Sequence, residues 1–357
     1  MIPMRFMPAI AVAAAVSVGL VAQETKVAKV SETARLEKMT ARFAPTSIRA
    51  DLSNLSAAEK RVLARLVEAS KLIDALFLRQ VWVGNEAMLL DLARDTTPEG
   101  RARLHFFLVN KGPWSRLDHD EVFVPGAPPK PAGANFYPDG ATKAELERWI
   151  QSLPEADRAK ATGFFTTLRR SGGGFSAVPY NVEYQAELVR AAALLREASA
   201  LAAEPTLKAF LSKRADALLS NDYYDSDVAW MALDASIEPT LGPYETYEDE
   251  WFSAKAAYEA FIAVRDDVET KKLTKFSSQL QDIESHLPID PSLRNPKVGA
   301  AAPIRVVNEI FCAGDANHGV QTAAYYLPND ERFTVTKRVM MKNVQEQKFR
   351  SVLLPIS

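Results

Sequence analysis

The chain has 357 residues, with 43 Lys+Arg against 45 Asp+Glu and a formal net charge of −2, so no electrostatic case exists for nucleic acid or an anionic membrane surface. Apolar residues make up 47% and charged residues 25%, an ordinary globular composition at a length that favours two lobes. Cys312 is the single cysteine, which excludes an internal disulfide and leaves stability to a packed core.

Residues 1–22 open with one charge, Arg5, and then run apolar from Phe6 to Ala22. This pattern predicts a secretory signal, cleaved to leave an exported periplasmic or secreted protein with no membrane association. The alternative is a retained anchor, because the run nearly reaches spanning length. Residues 23–55 read as a tether over the surface. Ser56 and Glu59 then form a capping box, with Val62, Leu66, Ala69, Ile73, Leu76 and Phe77 on one helical face. "NEAMLLDLAR" continues the helical reading, and Thr97-Pro98 opens another helix to about Val109. From Gly112 to Gly140 the chain is rich in Pro and Gly, which reads first as a plain connection and otherwise as a loop over a surface or beside a cleft.

Thr142 and Glu145 make a second capping box, and helices are expected through Arg170. "RSGGGFSAVPY" reads as a flexible connector because no strand is predicted before its glycines. Two further helices, "EYQAELVRAAALLREASALA" and "TLKAFLSKRADALLSN", complete a helical region over 56–225. The texture then changes. "SIEPTLGPYETY" predicts short strands and turns, Phe252 to Val264 a helix, and Asp267 to His286 another. "PIRVVNEIFCAG", "TAAYYLP" and "FTVTKRVMM" read as strands, and "NVQEQKFRSVLL" as a closing helix. The order predicts an α+β fold, predominantly helical, with a smaller strand-containing lobe over 226–357.

Chemistry-bearing motifs are sparse. The histidines are His105, His119, His286 and His318; none stands four residues from another and none precedes a glutamate. No zinc-ligating pair is therefore predicted. A Gly-x-Ser-x-Gly elbow, a phosphate loop and a dinucleotide fingerprint are all missing. Cys312 reads as a buried small residue. Carboxylates are plentiful, so a metal-independent carboxylate hydrolase stays open as a reading. The densest acidic stretch, "GPYETYEDEWFSAKAAYEAF", carries Glu245, Glu248, Asp249, Glu250 and Glu259 beside Tyr244, Tyr247 and Trp251. Glu248 to Glu250 are expected at the positive front of a helix beginning near Phe252.

"SIEPTLGPYETYEDEWFSAKAAYEAFIAV" resembles the segment of the dipeptidyl peptidase III family of zinc peptidases that walls the substrate cleft. "NPKVGAAAPIRVVNEIFCAGDANHGVQTAAYYLPNDER" and "KRVMMKNVQEQKF" resemble the family's bacterial branch. The likeness covers roughly residues 200 to 357; the helical part before it agrees in texture only. It implies a peptidase whose peptide lies extended between two lobes, one carrying zinc and the other a partial β-barrel with an exposed edge, where the peptide adds as a strand.

The resemblance also implies site residues. Glu238 matches the glutamate that grips the peptide's amino end, and Asn329 matches an asparagine with the same task; Glu245 is a further candidate contact. Two positions depart from the family pattern. Thr240 stands where eukaryotic members place a tyrosine that donates to the oxyanion, and Tyr326 stands where an asparagine usually precedes "LPN". Members of the family continue beyond the counterpart of "PIS" into a helix bearing His-Glu-x-x-(Gly)-His and a second Glu-bearing helix. This chain is therefore expected to bind peptide but no zinc, to contribute no catalytic residue, and to need a C-terminal zinc lobe as partner. A non-enzymatic peptide-binding or regulatory protein is the alternative.

Overall fold

A computed structural model describes residues 31–297, 304–333 and 336–353. The expected signal at 1–22 and the first residues of the tether lie outside them. The rest of the tether contains α1 (Glu32–Ala41), capped by Ser31, whose hydroxyl accepts from the Ala34 N–H, and then runs without helix or strand to α2. Leu36 anchors α1 in a small cluster with Leu78, Leu92, Phe106 and Phe107. α2 (Ala57–Val81) starts at the expected capping box: Glu59 N–H donates to Ser56 Oγ at 3.2 Å, and Ser56 N–H to Glu59 Oε2 at 2.7 Å. All six residues predicted for its inner face are fully buried. α3 (Asn85–Arg94) and α4 (Pro98–Asn110) follow, then a short antiparallel pair of β1 (Trp114–Ser115) and β2 (Glu121–Val122) inside the Pro- and Gly-rich loop.

α5 (Lys143–Ser152) and α6 (Glu155–Thr162) stop earlier than the sequence suggests. The expected connector is an antiparallel hairpin of β3 (Thr166–Ser171) and β4 (Gly174–Pro179). Its two turn residues, Gly172 and Gly173, have φ of +56° and +80°, the left-handed pair that a tight right-twisted hairpin requires. α7 (Tyr180–Glu183), α8 (Gln185–Leu201), α9 (Pro205–Ser220) and α10 (Tyr224–Met231) follow. α2 packs on α8, α8 on α9, and α9 on α10.

The main sheet contains β5 (Ile237–Glu245), β6 (Ala257–Arg265), β7 (Ile304–Gly314), β8 (Ala324–Leu327) and β9 (Lys337–Met341), in the order β5-β6-β7-β9-β8. The β7–β9 pair is parallel and the other pairs are antiparallel. The expected helix over 252–264 is thus replaced by β6. Residues 257–264 are buried on both faces, and a strand buried on both sides loses the alternation that would separate it from a core helix. The predicted helix over 267–286 is divided into α11 (Asp267–Ser277) and α12 (Leu280–Ser285), and α13 (Lys342–Lys348) leads into a π turn at Phe349–Leu353.

One core cluster takes side chains from α2, α8 and α9 and from the main sheet. The fold is α+β. Its sheet curls without closing: the outer strands meet through side chains, Tyr325 OH lying 2.8 Å from Thr240 Oγ1 and Asn329 Nδ2 donating to Tyr244 O at 3.2 Å. No backbone ladder joins β5 to β8 among the described residues.

β7 ends at Gly314, with φ +67° and ψ −137°, a conformation essentially reserved for glycine. An added Cβ would meet the Tyr258 carbonyl oxygen at 2.1 Å, and that backbone is fixed within β6. Gly314→Ala is expected to cost on the order of 2–3 kcal/mol, read as a lowered urea midpoint.

Candidate peptide-binding site

At the C-terminal end of β5 the curl of the sheet leaves a cavity of about 450 Å³. Glu245 ends β5, Glu259 projects from β6 opposite Gly242, Asp315 follows Gly314, and Tyr326 and Asn329 come from β8 and the turn after it. Three of the residues singled out from the sequence, Glu245, Tyr326 and Asn329, are therefore brought together. Glu245 is half-buried, and burial raises its carboxyl above the usual carboxylate range while Asn329 opposes the shift. The exposed ring of Tyr326 carries the Arg338 guanidinium 4.0 Å above it.

Glu238 and Thr240 do not line this cavity. Both are fully buried inside the curled sheet. Glu238 is paired with the Lys337 ammonium, which also donates to Trp230 O at 3.1 Å and sits 4.6 Å over the Trp230 ring. Thr240 Oγ1 accepts from Trp230 Nε1 at 3.1 Å. Its hydroxyl is thus taken up by internal partners.

The remaining acids of the stretch hold the loop between β5 and β6. The expected helix front is absent. Asp249 instead accepts from the N–H groups of Trp251, Phe252, Ala254 and Lys255 at 2.9–3.2 Å, and from Tyr137 OH at 2.7 Å. Lys255 Nζ ties the loop to α6 and β3, donating to Ala161 O at 2.7 Å, Gly163 O at 2.9 Å and Thr166 Oγ1 at 2.8 Å. Glu248 accepts from Arg116 at 2.5 Å and lies 3.7 Å from Lys130, which pairs with Glu250 at 2.6 Å. Arg116 and Lys130 of the 112–140 loop thus brace Glu248 and Glu250, next in sequence to Tyr247 of the cavity wall. Cys312 is half-buried, its thiol 3.1 Å from Gln321 Nε2.

Glu248, Asp315 and His318 bring one ligand atom each within 4.8 Å of one another, the sole such grouping among the described residues. A hydrolytic zinc does not fit there. Arg116 and Lys130 already neutralise Glu248, and His318 Nε2 lies 2.7 Å from Asp315 Oδ1 with its ring stacked on Phe77. A cation at this point would face two others, and one imidazole is too few for the usual catalytic ligand sets.

The model of peptidase family M49 matches residues 176–344, the span that holds β5 to β9 and the cavity. The structure of dipeptidyl-peptidase III from Corallococcus sp. strain EGB superposes with a TM-score of 0.85 at 62% identity, over 91% of this chain and 62% of that one. The chain belongs to the dipeptidyl-peptidase III family. A second member, from Caldithrix abyssi, matches with a TM-score of 0.86 at 46% identity, over 90% of this chain and 62% of that one. Nudix hydrolase 3 of Arabidopsis thaliana is 36% identical over 95% of this chain and 50% of its own length. The chain thus spans half of that plant relative and 62% of the two bacterial dipeptidyl-peptidases III.

Proposed function

We propose that this chain supplies the peptide-binding part of an exported dipeptidyl-peptidase III-type peptidase, with residues 226–357 receiving the free amino end of a peptide. The observation that carries this reading is the acid-walled cavity where Glu245 and Asn329 meet beside the outer strand β8. An ammonium group leaving water needs several oxygen acceptors, and carboxylates with an amide carbonyl supply them. An outer strand offers unpaired backbone groups to an extended peptide, independent of its sequence. The solved relatives are named as dipeptidyl-peptidases III, which supports a substrate entered from its amino terminus.

No His-Glu-x-x-His motif occurs in the 357 residues, so no catalytic residue is assigned. Zinc belongs to the peptidase reading as a whole, and this chain alone is expected to bind none. Residues 1–22 are read as its export signal; among the described residues no helix is long and apolar enough to cross a membrane. The test combines calorimetry with a pentapeptide, metal analysis by atomic emission and chromatography for released dipeptides. Expected are peptide binding, no zinc and no turnover. Stoichiometric zinc with turnover, or no peptide bound, would overturn the proposal; turnover that survives strong chelators would point to the carboxylates themselves.

A further inference from the structure

We propose that a second cavity, walled by Trp82, Tyr137 and Trp251, binds a quaternary or trimethylated ammonium group, the rings meeting its methyls and Asp139 its charge. The site is independent of the peptide-binding reading.

The cavity holds about 290 Å³, at the small end of the range for ligand sites. It forms where the Pro- and Gly-rich loop over 112–140 meets the end of α2 and the loop between β5 and β6, and it shares no lining residue with the acid-walled cavity. Trp82 directly follows α2, Tyr137 and Asp139 belong to the first loop, and Trp251 to the second. Both indoles are half-buried. Glycine backbone packs against each of them: a Cβ added at Gly84 would lie 2.3 Å from the Trp82 ring, and one added at Gly133 2.7 Å from the Trp251 ring. Only a residue without a side chain permits so close an approach, and both rings line the cavity with what remains uncovered.

The walls are fixed before any ligand arrives. Tyr137 OH donates to Asp249 Oδ2 at 2.7 Å, and its ring lies 5.1 Å from that of Trp251. Trp82 meets Trp114 edge-on at 5.6 Å, while Trp114 Nε1 donates to Pro128 O at 2.7 Å. Glu250 N–H donates to Ala132 O at 2.9 Å and joins the two loops. A preorganised site loses little freedom on binding.

Charge selects the occupant. Asp139, which is exposed, is the one carboxylate among the lining residues, and no lysine, arginine or histidine stands with it. The lysines that flank the cavity in sequence are committed elsewhere, Lys130 to Glu250 at 2.6 Å and Lys143 over the Phe252 ring at 5.2 Å. An anion would meet the negative faces of aromatic rings beside a carboxylate. A primary ammonium needs several acceptors as it leaves water, but Asp139 and Asn135 supply the only carboxylate and amide among the lining side chains. A methylated ammonium has no such need, because its charge is spread over carbon-bound hydrogens that aromatic faces attract.

Calorimetry on the full chain with choline and with 3,3-dimethyl-1-butanol, its neutral isostere, tests this. Choline is expected to bind saturably and at least tenfold more tightly than the isostere. Trp82→Leu should weaken choline at least tenfold. Asp139→Asn should weaken it at least threefold, leave the isostere within twofold and keep the wild-type urea midpoint, a combination that a damaged fold would not give. Phosphatidylcholine vesicles separate two sources of the same group: binding of choline without co-sedimentation assigns a free solute, and co-sedimentation abolished by both variants assigns a lipid headgroup. Equal affinity for choline and the isostere, no saturable choline binding, or choline affinity unchanged in either variant would overturn the proposal.

Discussion

Lys337→Met is expected to cost the fold about 3–5 kcal/mol at pH 7, measured as a fall in the urea midpoint. Lys337 and Glu238 are both fully buried, so the substitution leaves a carboxylate inside the curled sheet without its cation. Glu238 Oε2 already lacks a hydrogen-bond partner, and Arg305 and Arg265 act on it only through space. The sign of the pH dependence follows. Burial raises the Glu238 carboxyl even with Lys337 beside it, and loss of the ammonium raises it further. A carboxyl whose folded value is raised contributes stability fully present below its unfolded value and lost as pH rises through the folded one. The deficit of Lys337→Met should therefore be smallest near pH 4 and grow toward neutrality. Adding Glu238→Leu removes the stranded charge and should restore most of the loss, because paired apolar replacement of a buried ion pair is often neutral. A single variant within about 1 kcal/mol of wild type at pH 7 would show that water reaches Glu238, contrary to its burial.

How much of this was legible in the sequence depends on whether the signal is local. α2 was readable because its capping box and inner face lie within one turn-by-turn pattern. β6 was not, since Ala257 to Val264 is buried on both faces and the surrounding small residues imitate a helix. The β3–β4 hairpin was missed although Gly172-Gly173 announces it; β3 carries Thr, Arg and Ser at its ends and gives little apolar signal. At the site, Asn329 is reached by resemblance and Glu245 as one acid of the densest acidic stretch, and both line one cavity. Glu238 belongs to the same motif, but its partner Lys337 lies 99 positions away in sequence, and no local pattern reports that pairing. Glu259 was counted among five acids without distinction. A strand reading of 257–265 would have placed it on the same face as Phe261 and across from Gly242, and so toward the cavity.

The second large effect is expected from Arg116, whose carboxylate partner is shifted down where Glu238 is shifted up. Arg116 reaches Glu248 across the loop boundary, its Nε donating to Asn110 O at 2.8 Å while Asn110 Oδ1 accepts the Arg116 N–H at 3.0 Å. Burial pushes the Glu248 carboxyl up, but Arg116, Lys130 and His318 outweigh it and hold the group down at about 2, against an ordinary value of 4.5. A depressed carboxyl gives stability that is present above the unfolded value and lost as pH falls through the folded one. Wild type should thus weaken between pH 4.5 and about 2, and Glu248→Gln should flatten that slope. Arg116→Met strands most of the Glu248 charge and is expected to cost about 3–5 kcal/mol at pH 7. Its deficit relative to wild type should narrow on acidification, because wild type loses there what the variant has already lost. Urea titrations at pH 7 and pH 3 separate the outcomes, and a deficit that widens at pH 3 would rule out the ion pair as its source. Glu248 directly follows Tyr247 in the wall of the cavity, so the same variant should also loosen the loop on which Glu245 depends and weaken the peptide it is proposed to hold.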